Sequence, residues 1–357
     1  MNSLCSRWIA LPLLAAFVAL PALAQEDTKS TKASVTLKAG DKAPALAVEK
    51  WVKGKPVEGF EKGKVYVVEF WATWCGPCIQ SMPHLSDLQR QYKDKVTIIG
   101  VTTKDSRGNT LDSVEKMVKE KADGMDYTVA WDKDDVTNKA YMEAAKQPGI
   151  PTSFVVDAAG KLAWIGHPMF LDIVIEPVLA GKWDATKGAE VVEKAEAAMK
   201  DVYENMDSPK KAIAALNKLE KDYPSLAHSL GDMRFGLYLQ AGEYATAYKL
   251  GNEMVEKAIK TKNSMTLNQV AWTIVDPEGK VEKRDLDLAM KAAQAASDLT
   301  DNKDGAILDT LARVYFVKGD KEKAIEIQKK AIENADGRMK RELEATLKEY
   351  QGGAKPE

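Results

Sequence analysis

The chain has 357 residues, 51 basic against 53 acidic, and a net charge of -2. That length allows about two domains, and 45% hydrophobic with 29% charged residues is the balance of a globular protein with a packed core. The even charge argues against a nucleic-acid or anionic-membrane partner, since both call for a basic surplus or patch.

The first 24 residues read as a secretory signal peptide. Arg7 supplies the positive start, Trp8 to Leu20 the short apolar stretch, and Pro21-Ala-Leu-Ala24 the small residues before a cut after Ala24. The apolar run is short for a span of about 20 residues and Pro12 interrupts it, which disfavours an uncleaved anchor. Cleavage would remove Cys5 and leave Cys75 and Cys78 as the only pair. A bridge closing so small a loop restricts the unfolded chain little, so a reactive role explains it better than a stabilising one. Residues 25–37 read as a polar, flexible leader.

From residue 38 the pattern alternates. A β-rich run at 65–70 leads straight into Trp71-Ala-Thr-Trp-Cys-Gly-Pro-Cys78, then a helix to about Tyr92. A strand at 96–101, a helix at 111–122, a strand at 127–131 and a helix at 136–145 follow. Residues 150–165 read as a hairpin turning at Asp157-Ala-Ala-Gly160. Such alternation predicts a sheet with helices on both faces, ending near residue 187. Residues 189–352 read as successive amphipathic helices, and 353–357 as a disordered tail. Ala212, Ala247, Ala289 and Ala324 recur at spacings of about 35, 42 and 35, a period that indicates stacked helix pairs of the tetratricopeptide kind. The long gap is explained by an extra loop over Asp276 to Arg284. Tyr203, Tyr238, Trp272 and Tyr315 are expected in the seams between helices. The surface left free by such stacking commonly binds a peptide or protein, here of unknown identity.

The chemistry centres on the cysteine pair. A thiol attacks a disulfide only as thiolate, and an ordinary cysteine pKa of about 8.5 leaves little thiolate at neutral pH. A helix start offers unpaired N–H groups and the positive end of the dipole, which favour that thiolate. Cys75 stands at the predicted helix start, and Pro77 suits the first turn, where its missing N–H costs nothing. Cys75 is therefore expected to be the exposed nucleophile and Cys78 the buried resolving thiol. A zinc site would need more ligands than His84, His167 and His228 readily supply. Haem attachment would need His where Ile79 stands. A peroxidatic Pro-x-x-x-Thr-x-x-Cys is absent, with Val68 and Ala72 at those positions. All three histidines read as surface or capping residues, and no metal is expected.

Phe70-Trp-Ala-Thr-Trp-Cys-Gly-Pro-Cys78 together with Gly149-Ile-Pro-Thr152 resembles the thioredoxin superfamily, and the helix–strand insertion between 108 and 131 resembles its TlpA-like branch of exported oxidoreductases. The resemblance covers about residues 38–185. It implies an α/β thioredoxin fold, a mixed sheet flanked by helices, followed here by the all-α tetratricopeptide-like region. It implies a cis Ile150–Pro151 bond facing the disulfide, with Trp74, Gly76, Pro77 and Ile150 forming the docking surface. It also implies a buried acid six residues before the nucleophile, at Glu69, relaying a proton for Cys78. The lysine that usually partners that acid has no counterpart in 96–101. The implied activity is reduction of disulfides in exported proteins, with the Cys75–Cys78 pair as the sole redox group and a membrane thiol carrier as electron donor. Two rivals stay open: an oxidase or isomerase using the same pair, and an interaction module whose redox head is secondary.

Overall fold

In the computed structural model the described residues are 36–352, apart from 280 and 336. The expected signal peptide with its cut after Ala24, Cys5, the leader up to residue 35 and the tail 353–357 lie outside them.

Six strands form one mixed sheet in the order β1-β4-β3-β2-β5-β6. They are β1 (Val48–Lys53), β2 (Val65–Phe70), β3 (Val96–Thr102), β4 (Thr128–Asp132), β5 (Thr152–Val156) and β6 (Leu162–Gly166). β2, β3 and β4 run parallel; β5 lies antiparallel to β2, β6 to β5, and β1 to β4. All six residues of β2 are buried, as a central strand covered on both faces requires. Side chains alternate across it: Val65 and Val67 pack with Met82 and Leu85 of α1 (Gly76–Tyr92). Tyr66, Val68 and Phe70 pack on the other face with Tyr141 and Phe154. Each such large apolar side chain contributes about 1.5–3 kcal/mol on burial.

The expected helix at 136–145 is shorter and wider than its sequence suggested. α3 (Val136–Asn138) passes directly into a π turn at Lys139–Glu143. Asp132 holds its start, accepting from the amides of Thr137 and Asn138, each at 2.9 Å. Tyr141 is thereby carried into the core, where its hydroxyl donates to Pro44 O at 2.6 Å. α2 (Leu111–Lys121) sits on the α1 side through Val114 and Val118.

Two elements had no counterpart in the sequence reading. β1 is a half-exposed edge strand, and α4 (Leu171–Leu179) buries Leu171, Val174, Ile175 and Val178. The boundary placed at residue 187 falls inside α5 (Ala185–Glu204), whose true start is Asp184, accepting from the amides of Thr186 and Lys187. Just before it, Trp183 donates to Ala163 O at 2.8 Å and lies against Gly188, where a Cβ would come within 2.4 Å of the indole ring. Gly188 thus lets the first helical turn close down on the sheet edge. The apolar core continues without a break from β2 and α1 through α4 into Ala195, Met199 and Val202 of α5 and Leu216 of α6 (Pro209–Asp222).

Beyond α6, helices follow one another: α7 (Gly231–Gln240), α8 (Tyr244–Lys260), α9 (Ser264–Val275), α10 (Leu286–Leu299), α11 (Gly305–Val317), α12 (Lys321–Glu333) and α13 (Gly337–Tyr350). Each packs on the next. Ala212, Ala247, Ala289 and Ala324 are fully buried, one in each of α6, α8, α10 and α12. The loop between α9 and α10 falls at the expected place, and Arg284 Nη2 pins it by donating to Asp276 O at 2.8 Å. Tyr203 departs from expectation: it is 51% exposed, lying on the outer side of α5, and Tyr238, Trp272 and Tyr315 are half-buried. α5 fills its inner stripe with Val192, Ala195, Met199 and Val202, which leaves the tyrosine no place there.

Candidate active site

Cys75 and Cys78 form a disulfide at the start of α1. Cys75 is the N-cap in an extended conformation, and its sulfur accepts from the Cys78 amide at 3.2 Å. The interaction that would favour a thiolate at Cys75 is therefore in place. Pro77 lies in the first turn, as its lack of an N–H dictates. The expectation of an exposed Cys75 fails in this oxidised form: Cys75 is 4% exposed and Cys78 2%. Both bridged cysteines are buried, and Cys75 Sγ lies 3.8 Å from the carbonyl oxygen of Ile150. Gly76, Pro77 and Trp74 around them are exposed.

Ile150–Pro151 is cis. Thr152 secures the turn, its hydroxyl donating to Gly149 O at 2.7 Å. Trp74, Gly149 and Ile150 line a cleft of about 530 Å³ that continues along Asp105, Arg107 and Glu143. The two motifs, 72 residues apart from Cys78 to Ile150, thus meet at one end of the central strands, beyond Phe70 of β2 and before Thr152 of β5.

Glu69, the last residue but one of β2, is 2% exposed. Alternation puts it on the face of Val65 and Val67, the face covered by α1 and Cys78. Burial pushes its carboxyl up to about 8, and a hydrogen bond donated by the Ser153 hydroxyl partly opposes that rise. Opposite it on β3 stands Gly100. A Cβ there would meet Trp71 Nε1 and the Tyr127 ring, both at 3.0 Å, so these two aromatics close over the glycine. Burial, and then the Glu69 charge, push the Tyr127 phenol up. Trp71 is core, 4% exposed, and its indole N–H has no hydrogen-bond partner among the described residues.

A second buried residue organises the approach to Cys75, and the sequence reading missed it. Asn109 is 0% exposed. Its Oδ1 accepts from the amide and the hydroxyl of Thr73, both at 2.9 Å, and its Nδ2 donates to Thr102 Oγ1 at 2.8 Å and Thr103 O at 2.6 Å. Thr102 in turn donates to Trp71 O at 2.7 Å. Asp105 completes the brace: it accepts from the Trp74 indole N–H at 2.5 Å and from the amides of Arg107 and Asn109. The Arg107 guanidinium stacks 4.4 Å above the Trp74 ring. The only signal in the sequence is a polar, turn-rich stretch, Asp105-Ser-Arg-Gly-Asn109.

The histidines divide. His167 is a cap, its Nδ1 accepting from the Met169 amide at 3.2 Å, and burial lowers its pKa. His84 is no surface residue. Its side chain is 13% exposed, with Nε2 3.0 Å from Asp172 Oδ2 of α4, though outside hydrogen-bonding alignment. The uncounted helix α4 is what covers it.

Residues 38–170 match the Redoxin family. The thiol:disulfide interchange protein HelX of Rhodobacter capsulatus is 35% identical over 182 residues, which span 49% of this chain and 96% of HelX. The thiol-disulfide oxidoreductase ResA of Bacillus cereus is 32% identical over 163 residues, 45% of this chain and 86% of ResA. Protein FixW of Rhizobium leguminosarum is 28% identical over 155 residues, 42% of this chain and 70% of FixW. With a relative such as HelX matched over nearly its whole length, and the bridged pair set against the cis-proline turn, the chain belongs to the thiol–disulfide oxidoreductases of the thioredoxin superfamily.

Proposed function

We propose that this protein reduces disulfides in exported proteins through a cycle at Cys75 and Cys78. The Cys75 thiolate attacks one sulfur of the client bridge, forming a mixed disulfide, and the departing client sulfur takes up a proton. Cys78, giving its proton to Glu69, then attacks Cys75 Sγ and releases the second client thiol. The client gains two electrons and the pair is left bridged. An external dithiol restores the pair: one of its thiolates attacks Cys75 and Cys78 leaves with the proton returned by Glu69, then its second thiolate attacks the donor sulfur bound to Cys75, which releases the Cys75 thiolate and leaves the donor bridged. A carboxyl pushed up to about 8 suits both directions, being largely protonated at neutral pH yet able to ionise. Trp74, Gly76, Pro77 and Ile150 form the docking rim, and the backbone at the Ile150–Pro151 turn pairs with an extended client segment. The pair is the only redox group in this scheme.

The observation that carries the reading is the Cys75 sulfur capping a helix while lying 3.8 Å from the Ile150 carbonyl. The Gly-Pro between the cysteines favours the reducing direction, as it does in the family. Export rests on the signal-peptide pattern of residues 1–24 and places the activity in the periplasm or another extracytoplasmic compartment, with a membrane thiol carrier as donor. We further infer that the helices after Asp184 are tetratricopeptide-like repeats presenting a partner-binding surface, supported by the four buried alanines in alternate helices. The test is trapping. Full-length Cys78→Ser should accumulate mixed disulfides with proteins of an extracytoplasmic extract, and Cys75→Ser should accumulate none. Absence of any trapped client would overturn the reductase reading.

One observation favours a second reading, in which the helices do the biological work: they follow the Redoxin match, which covers residues 38–170. It predicts that Cys75→Ser leaves the biological effect intact while loss of the helices abolishes it.

A further inference from the structure

The thiol cycle needs an acid that can change protonation state inside the core, yet the strand beside Glu69 carries glycine instead of a cation. What stands against the carboxyl is a hydroxyl. Ser153 lies directly opposite Glu69 in the antiparallel β2–β5 pair, is 0% exposed, and donates to Glu69 Oε2. A hydroxyl can donate to a carboxylate and accept from a carboxylic acid, so it serves Glu69 in both states. A lysine could do only the first. Ser153 is also two residues beyond Pro151, on the strand that leaves the cis-proline turn.

We propose that Ser153 is a positioning residue that sets the protonation point of Glu69, and through it the pH range over which Cys78 exchanges its proton. The proposal rests on the reading of Glu69 as the proton partner of Cys78. The groups facing Glu69 leave Ser153 as the adjustable one. β3 presents Gly100. Tyr127, before β4, stays neutral because its phenol is pushed up. The titratable residue that α1 buries on this face is Cys78 itself. Trp71 contributes an N–H that does not titrate. Burial and the Ser153 hydrogen bond are then the opposing effects on the carboxyl, and removing the bond shifts the balance toward the protonated form.

The test is the pH profile of the single-turnover reduction of the Cys75–Cys78 bridge by dithiothreitol, corrected for the reductant's own thiolate fraction. Full-length wild type, Ser153→Ala, Ser153→Thr and Glu69→Gln are compared. In wild type the corrected rate should fall above about pH 8, where Glu69 no longer carries the proton Cys78 needs on leaving. Glu69→Gln should lose that break. Ser153→Ala should move it up by about one pH unit, the size expected for a charge-assisted hydrogen bond, and Ser153→Thr should return it. A Ser153→Ala break at the wild-type position, with the break absent in Glu69→Gln, overturns the role of Ser153 and leaves that of Glu69 standing. So does a uniform loss of rate at every pH, which is what loosened packing alone would give. A wild-type break retained in Glu69→Gln overturns the reading of Glu69 and the proposal with it.

Discussion

Glu69, Asn109 and Ser153 in the sheet region are as buried as Ala247 and Ala289 in the helical region, yet burial serves a different end in each. In the helices the buried positions repeat, small residues let neighbouring helices approach, and buried polar groups tie one helix to the next. Arg313 shows this: it is 5% exposed and holds Glu349 of α13 through two hydrogen bonds at 2.8 and 3.2 Å. In the sheet region Glu69, Thr102, Asn109 and Ser153 gather around the loop that carries Cys75. Periodic burial builds a scaffold and spreads its stabilisation over many equivalent contacts. Convergent burial concentrates cost at one place, which is worthwhile only where chemistry needs a fixed geometry or a shifted proton affinity.

Four substitutions break or sharpen that contrast, beginning with the largest effect on exchange. Cys75→Ser should reduce disulfide exchange to background, measured as turnover of insulin, while the thermal midpoint stays close to wild type because a bridge across so short a loop adds little. Glu69→Gln should remove a pH dependence of stability. The carboxyl's folded pKa is raised, from 4.5 to about 8, so the folded state binds more protons than the unfolded state between those values. Stability is therefore full below the unfolded value, falls as pH rises through that window, and levels off above the folded value. Urea midpoints should show wild type losing on the order of 3 kcal/mol between about pH 5 and 8 relative to Glu69→Gln. Retention of the slope in the variant would move its origin elsewhere.

Asn109→Ala comes next. It strips partners from Thr73 and Thr102 and should destabilise by about 2 kcal/mol. More tellingly, it should raise KM for a protein disulfide while sparing the reaction with a small disulfide, because the Trp74 loop loses its brace. The least effect on exchange belongs to Ala289→Leu in α10. Overpacking there should cost about 1–3 kcal/mol of stability, read by urea denaturation, with exchange per folded molecule unchanged. A fall in exchange would mean that the two regions are coupled.

Legibility followed the same divide. β2, β3, β4 and the hairpin were readable because buried strands are continuous apolar runs, and the helices after Asp184 because their apolar residues keep helical spacing. β1 escaped because Val48-Glu-Lys-Trp-Val-Lys53 is an edge strand carrying charges on its exposed positions. α4 escaped because Leu171 to Leu179 is short, nearly all apolar and contains Pro177, so periodicity gives it no signature. At the site, Cys75, Cys78 and the Ile150–Pro151 turn were visible as local motifs, and Glu69 by its distance from Cys75. Ser153 and Asn109 were not, since one acts through strand register and the other through a loop folded back across 36 residues. The exposure of Cys75 was misjudged because its sulfur lies against the Ile150 carbonyl, 75 residues on, a neighbour that the local sequence does not name.

The most direct test of the account is the equilibrium reduction potential of the Cys75–Cys78 pair in the full-length protein. An electron-fed reductase is expected to give a value of about -270 mV. A value near about -120 mV would contradict it in favour of disulfide donation, and a pair that never bridges in solution would remove the redox cycle altogether.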